Sequence, residues 1–325
     1  MKIAIIGAGI AGVTCAYECE KKGHEVTLFD KSRGVSGRST TKRWDTVSGI
    51  GIDMGVPYIE KHDISAKTQP LMDELIDQGQ LIPWSFKRQE NNDLIPIDAF
   101  IGVKKMNGIA RYLAGGIEIV SQSKITAINH LNGVWSLTTD EDTFTGFDWL
   151  VLAIPAPQIA LLDGCPADIA SKAATINYCA VNTMLFEMQS PLWFSDADED
   201  VINGPIINRV IADHRKPNRE SRRHTYAMHS QHGWATKMFD DIQPAEVTVK
   251  MMTSMLSHYN RGDQLVVDHR LHRWKYAYLE GPLETLRCNY YQSIDAPNIA
   301  ACGDWCQGPT FINAIESGLS LAHNI

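Results

Sequence analysis

Gly7, Gly9 and Gly12 stand at GxGxxG spacing directly after the apolar run Ile3-Ala4-Ile5-Ile6. Such a run is typical of a strand buried in a parallel sheet. In this arrangement the first glycine permits a tight turn, the second lets backbone approach a pyrophosphate, and the third lets the next helix pack on the sheet. The helix is expected over about Ala11–Lys22, ended by Gly23. Its N-terminus would direct free N–H groups at phosphate. A second strand, His24–Phe29, is expected to end at Asp30, whose carboxylate can accept bonds from both ribose hydroxyls and repels a 2′-phosphate. Glycine spacing by itself describes many ordinary turns. Strand, glycines, helix, strand and acid in register describe a dinucleotide site. Arg33-Gly34-Val35-Ser36-Gly37-Arg38 then adds two cations and flexible backbone, and arginine can hold a pyrophosphate bidentately. That addition favours FAD over NAD, against the competing account of a solvated basic loop.

The opposite end of the chain carries a second cluster. Ile299–Ala301 reads as another buried strand, with Gly303-Asp304 at its end, where parallel sheets bind ligands. Asp304 is placed to bind a sugar or ribityl hydroxyl. The segment Asn313–Gly318 reads as a helix N-terminus whose amides near Asn313 and Ala314 would meet the flavin ring or a phosphate. Taken alone, Gly303-Asp304 is equally a plain turn. Ile10, Ala11, Lys31 and Ile125 complete the expected cofactor contacts.

These segments resemble the flavin amine oxidase superfamily, and more closely the renalase family with its bacterial members. The resemblance covers nearly the whole chain: LFDKSRG, IDMGVPYI (Ile52–Ile59), LAIPAPQ (Leu152–Gln158), HRKP (His214–Pro217), LHRWKYA (Leu271–Ala277) and CGDWC (Cys302–Cys306). It implies non-covalent FAD and an oxidase that takes hydride from 2- or 6-dihydro isomers of NAD(P)H. The products are NAD(P)+ and, through molecular oxygen as acceptor, hydrogen peroxide. A dihydropyridine loses hydride readily because its product is aromatic, so the protein must stack a ring near flavin N5 and needs no base. The catalytic positions expected on this account are Gly55, Pro57 and Tyr58 on the flavin face and Trp274 as a stacking wall, with Arg209 or the Arg215 loop holding the distal part of a dinucleotide substrate. Three departures stand out. Ser36 replaces the first of a glycine pair, Pro57 replaces a residue that is often Gln in the bacterial relatives, and QGPTFINAIESG replaces a GRVEGA-like run. They bear on loop geometry and substrate choice rather than on flavin binding.

The 325 residues have room for about two domains. Hydrophobic content of 44% and charged content of 21% describe an ordinary soluble protein, and the net charge of −8 argues against nucleic-acid binding. No apolar run is long enough to span a bilayer. The 7 cysteines are scattered, which suits a reducing compartment, and the expected location is cytoplasmic. The expected fold class is α/β: a Rossmann-like FAD-binding domain (1–56, 100–160 and 290–325) with a second, mixed-sheet substrate domain (57–99 and 161–289). Helices are expected at Asp63–Gly79, with Leu71, Leu75 and Ile76 inward, at Met106–Ala114 and near Ala245–Tyr259. Strand-like runs at Ile117–Val120, Lys124–Leu131, Val134–Thr139 and Trp149–Ile154 suggest an inserted meander, with Asn132-Gly133 as a hairpin turn.

Other residues have ordinary competing accounts. Trp274 also fits a plain strand, and Tyr58, Trp234 and Trp305 also fit core aromatics. Arg215, Lys216, Arg219, Arg222 and Arg223 form a dense basic loop that would clamp a phosphate or simply be solvated. His229-x-x-His232 and His269-x-x-His272 lack the converging ligands a metal needs, and Asp196–Asp200 lacks the glycine and glutamate of a calcium loop. No metal is expected. Cys302 and Cys306 read as buried thiols. Two further functions share the same cofactor site: a flavin amine oxidase, which would need an aromatic cage or acidic selector for an amine, and a non-enzymatic flavin-binding protein.

Overall fold

The computed structural model describes residues 1–44, 51–219, 223–281 and 288–325. Among them, strand Lys2–Ile6 lies between Glu25–Phe29 and Trp149–Leu152, all parallel. Ile299–Ala301 and Glu118–Val120 extend this sheet in parallel on either side, and the short Tyr291–Gln292 closes one edge antiparallel. Alternate residues of the first strand serve opposite faces. Ile3 and Ile5 join the core containing Ala11, Cys15, Ile109, Ile312 and Ile315, whereas Ala4 and Ile6 join Trp135, Leu150, Leu152 and Trp305. Helices Ile10–Lys21 and Phe311–Asn324 meet at Gly318, where a Cβ would lie 2.4 Å from the Ala11 carbonyl oxygen. The first and last segments of the chain are thus locked together beside the glycine turn.

A second, eight-stranded sheet runs in the order Val266–Glu280, Asn177–Met188, His224–Ser230, Ile207–Ile211, Glu199–Val201, Leu81–Glu90, Asp93–Gly102 and Ile59–Glu60. Its pairings are antiparallel apart from Glu199–Val201 against Leu81–Glu90. Helix Pro244–His258 covers part of it through Val247, Met251 and Met255, which pack with Met184, Phe186 and Tyr226.

Several local expectations change. Glu118–Val120 and Trp149–Leu152 belong to the parallel sheet; the meander is Ala127–Leu131, Val134–Thr138 and Thr143–Phe147. Its first turn uses Asn132 and Gly133 at φ 54° and 82°, the backbone that Asn-Gly favours. The helix expected from Asp63 begins only at Gln69, because Pro70 suits a first turn and Ser65 and Thr68 close a separate turn by mutual hydrogen bonds. Leu71 and Leu75 are buried as expected, while Ile76 is half-buried.

Candidate functional site

The glycine turn divides its three tasks physically. Gly7 sits at φ 108°, and a Cβ there would lie 2.5 Å from the Ala153 carbonyl oxygen. A Cβ on Gly12 would lie 1.9 Å from the Gly7 carbonyl oxygen, so helix and turn touch backbone to backbone. A Cβ on Gly9 would meet nothing within 4 Å, leaving open backbone for a phosphate to approach. Asp30 Oδ2 accepts from the Ala8 N–H at 2.8 Å and Oδ1 from the Ser32 N–H at 2.7 Å. A carboxylate has about four acceptor positions, so Asp30 can hold the turn and still receive ribose hydroxyls. These residues fit a dinucleotide. Ile10 and Ala11 are buried in the first helical turn, and Ile125 lies in the core with Ala4 and Phe29. Lys31 and Arg33 are exposed, and Arg33 Nε donates to Gln122 Oε1 at 3.1 Å.

The loop from Ser36 to Arg38 folds over this turn. The Ser36 N–H donates to the Ala8 carbonyl at 2.8 Å, and a Cβ on Gly37 would lie 3.1 Å from Gly9 Cα. Ser36 itself adopts φ 118°, a conformation suited to glycine, and its buried Oγ has no hydrogen-bond partner. Ser36→Gly is therefore expected to stabilise the protein by about 1–2 kcal/mol. Urea denaturation checks this, and an unchanged or lower midpoint would contradict the strain.

Arg38 is the junction of the site. Its Nη1 donates to Asp304 Oδ2 at 2.7 Å and to the Ala277 carbonyl at 3.0 Å. Asp304, 4% exposed, also accepts from the Tyr178 hydroxyl at 2.9 Å. Burial works against the Arg38 charge, and Asp304 beside it more than restores it, so its pKa is raised. Burial, reinforced by Asp304, raises the Tyr178 phenol. Arg38 and Asp304, expected separately at pyrophosphate and sugar, are thus paired with each other here. Tyr178 was not legible, since it sits in a long strand without a motif.

Gly55 runs across the same loop. A Cβ there would lie 1.8 Å from the Arg38 carbonyl oxygen, and the Val56 N–H donates to that oxygen at 2.9 Å. Pro57 is buried. Trp274 is half-buried against Trp44, Ile52, Met54, Leu185 and Ala227, with its Nε1 donating to Thr183 Oγ1 at 3.1 Å. The strand that carries Trp274 is the one Arg38 grips at Ala277. The structure thus gathers Arg38, Gly55, Asp304 and Trp274 where the glycine loop meets the second sheet.

Other expected residues lie elsewhere or are occupied. The Asn313 N–H is taken by Thr310 Oγ1 at 3.1 Å in a capping box, and the Ala314 N–H by the Thr310 carbonyl, so neither amide is free for a cofactor. Tyr58 is a core aromatic beside Trp84 and Phe86; its hydroxyl donates to Glu199 and accepts from Arg88 and Arg209. Arg209 is held by the fully buried Glu199 at 3.2 Å. The basic loop is not a solvated clamp either. Lys216 and Arg219 are buried against Asp53, Arg215 Nη1 donates to the Ser195 and Ala197 carbonyls, and Arg223 pairs with Glu187. Arg222 lies outside the described residues. Trp305 is fully buried. Gly303, at φ 154°, donates its N–H to Ser317 Oγ, fixing the turn to the last helix. A surface hollow of about 350 Å³ lined by Glu60, Lys61, His62, Pro96, Ile97 and Asp98 includes none of the expected site residues. Among the described residues no group of His, Cys, Asp or Glu is arranged to hold a metal ion, and no helix is long and apolar enough to cross a membrane.

His229, weighed in sequence only as half of a His-x-x-His pair, sits 7% exposed against the Met54 backbone. Burial, with Arg209 nearby, pushes it down to about 3. An unfolded histidine titrates near about 6.5, so as pH falls the unfolded state takes up the proton first and stability declines. Lowering pH from about 7.5 to 5 is expected to cost about 2 kcal/mol through this residue. His229→Gln should lose that much less over the same range in urea titrations; equal losses would contradict a buried neutral imidazole.

Residues 5–75 match the NAD(P)-binding Rossmann-like domain family. Renalase from Mus musculus is 26% identical over 172 residues, which span 50% of this chain and 49% of that protein. Cyclohexylamine oxidase from Brevibacterium oxydans superposes with a TM-score of 0.75 at 11% identity, covering 99% of this chain and 98% of that one. The chain shares the fold of this oxidase. An oxidoreductase from Methanosarcina mazei also matches over 100% of both chains, with a TM-score of 0.64 and 15% identity. The resemblance to renalase and the α/β fold class expected from sequence are both borne out. The chain spans about half the length of the curated renalase it matches.

Proposed function

We propose that this chain is an FAD-dependent oxidase of renalase type, which oxidises 2- or 6-dihydro isomers of NAD(P)H to NAD(P)+ with oxygen as acceptor. The observation that carries the reading is the seat of Trp274 against Met54, next to the Gly55 segment docked on Arg38. Of the ionisable groups nearby, Arg38 is committed to Asp304, and Tyr58, Arg88 and Arg209 to Glu199, while burial keeps the His229 imidazole neutral. Such a site suits a reaction that needs ring stacking and no proton transfer by the protein. When bound, FAD supplies a hydride acceptor at N5 and passes its electrons on to oxygen. Gly9, Asp30 and Arg38 would hold its phosphate and sugar portions. Gly55 would leave room beside the ring, since no side chain fits over the Arg38 carbonyl. Trp274 would hold the substrate nicotinamide in line and shield it from water. The proposed division of labour is a nucleotide-binding unit (1–56, 100–160 and 290–325) and a substrate unit (57–99 and 161–289).

Trp274→Ala is expected to slow flavin reduction by a dihydro-NAD isomer about 10- to 100-fold while FAD stays bound. Anaerobic stopped-flow measurement checks it. Reduction at the wild-type rate would remove Trp274 from the reaction.

A further inference from the structure

We propose that Cys288 and Cys306 form a peroxide-oxidisable thiol pair that closes to a reversible disulfide beside the candidate dinucleotide site. The Cys288 N–H donates to the Cys306 carbonyl at 3.0 Å, which sets the two cysteines side by side, and the Cys306 thiol donates to the Ala301 carbonyl at 3.8 Å. Cys288 is half-buried and accessible to a small oxidant; Cys306 is fully buried. Cys306 stands in the turn Asp304–Gln307, two residues after the carboxylate that binds Arg38.

The pair differs from every other described thiol. The neighbouring Cys306 side chain, with help from Lys172, lowers Cys288 to about 7 despite partial burial. Burial pushes Cys165 up to about 11 and also raises Cys179. Cys15, Cys19 and Cys302 are all shut away from solvent. Reactivity follows thiolate character and access, so Cys288 reacts first and Cys306 resolves it.

The chemistry balances with hydrogen peroxide as oxidant. The Cys288 thiolate attacks one peroxide oxygen; an S–O bond forms, the O–O bond breaks, and hydroxide leaves to take up a proton. The Cys306 sulfur then attacks the Cys288 sulfur. An S–S bond forms, the S–O bond breaks, and the departing oxygen leaves as water with the Cys306 proton. Two thiols lose two electrons and one peroxide becomes two waters. A dithiol reductant reverses the bond by exchange. Closure would pin the turn that carries Asp304, and therefore the Arg38 junction. The pair stands independently of the proposed oxidase reaction, because added peroxide suffices.

The test is graded addition of hydrogen peroxide to the full-length protein near neutral pH, followed by alkylation and peptide mapping. A cross-linked Cys288–Cys306 peptide pair, reversed by dithiothreitol, is expected. Cys288 should be consumed at least about tenfold faster than Cys165. In Cys306→Ser, Cys288 should accumulate as a sulfenic acid trapped by dimedone. Consumption of Cys288 no faster than Cys165, or a disulfide joining other cysteines, would overturn the proposal on the wild-type protein alone.

Discussion

Lys216→Met is expected to cost about 3–5 kcal/mol of stability. The lysine is 2% exposed, with Nζ 2.8 Å from Asp53 Oδ2 and 2.7 Å from Asp213 Oδ1. Arg219 Nη2 lies 2.7 Å from the same Asp53 oxygen, while Thr41 and the Met106 N–H bond the other. Two carboxylates and two cations thus neutralise each other inside the protein. Burial would raise Asp53, but Lys216 and Arg219 hold its carboxyl well below the usual range. Burial raises Asp213, Lys216 pulls it back, and the charge on Asp53 pushes it up again; the net direction is upward. Methionine in place of the ammonium takes from Asp213 the cation it pairs with and leaves Arg219 as the remaining cation on Asp53 among the described residues. Urea denaturation measures the loss, and a change below about 1 kcal/mol would show that the cluster contributes little. Adding Asp213→Asn to the variant should recover part of the loss, because the stranded charge is removed. The cluster matters to the site because Asp53 ends the strand Gly51–Asp53 immediately before Met54 and Gly55.

Arg38→Ala is expected to weaken FAD retention at least about 100-fold, the effect of removing a charge-assisted junction of worth about 3 kcal/mol. The guanidinium ties together the glycine loop, the Trp274 strand at Ala277 and Asp304 at the far end of the chain. Without it the Asp304 carboxylate keeps, among the described residues, the Tyr178 hydroxyl. Arg38→Lys should recover little, since Nη1 alone serves Asp304 and Ala277 and an ammonium lacks the further planar N–H donors of the guanidinium that would face a phosphate. Purified variant passed through gel filtration and assayed for released flavin gives the answer. Wild-type flavin content in Arg38→Ala would take the arginine out of the cofactor site.

The nucleotide half was readable in sequence because its demands are local. Gly7 and Gly12 answer to backbone clashes within a few residues of themselves or on the neighbouring strand, and Asp30 acts through amides at Ala8 and Ser32. Strand Ile299–Ala301 was readable for the same reason, as a short apolar run closed by a glycine. The substrate side was less legible because its logic is long-range. Lys216 and Asp53 are far apart in sequence, and nothing in a run of basic residues says that two of them are buried. Hairpin Leu81–Gly102 was passed over because Pro83 and Pro96 interrupt its strands, although Asn91 and Asn92 at φ 50° and 71° carry a turn signal. The Asn313 amide, expected at the flavin ring or a phosphate, donates instead to Thr310 in the cap of its own helix, a local pairing that the helix signal alone does not show.

The central claim is tested most directly by anaerobic mixing of the purified, flavin-loaded protein with 6-dihydro-NAD, with an aliphatic or aromatic amine in a parallel experiment, following loss of flavin colour. Rapid bleaching by the dihydro isomer and none by the amine is the predicted result. Bleaching by the amine instead, or by neither, would contradict the account and favour an amine oxidase or a non-enzymatic flavin-binding protein respectively.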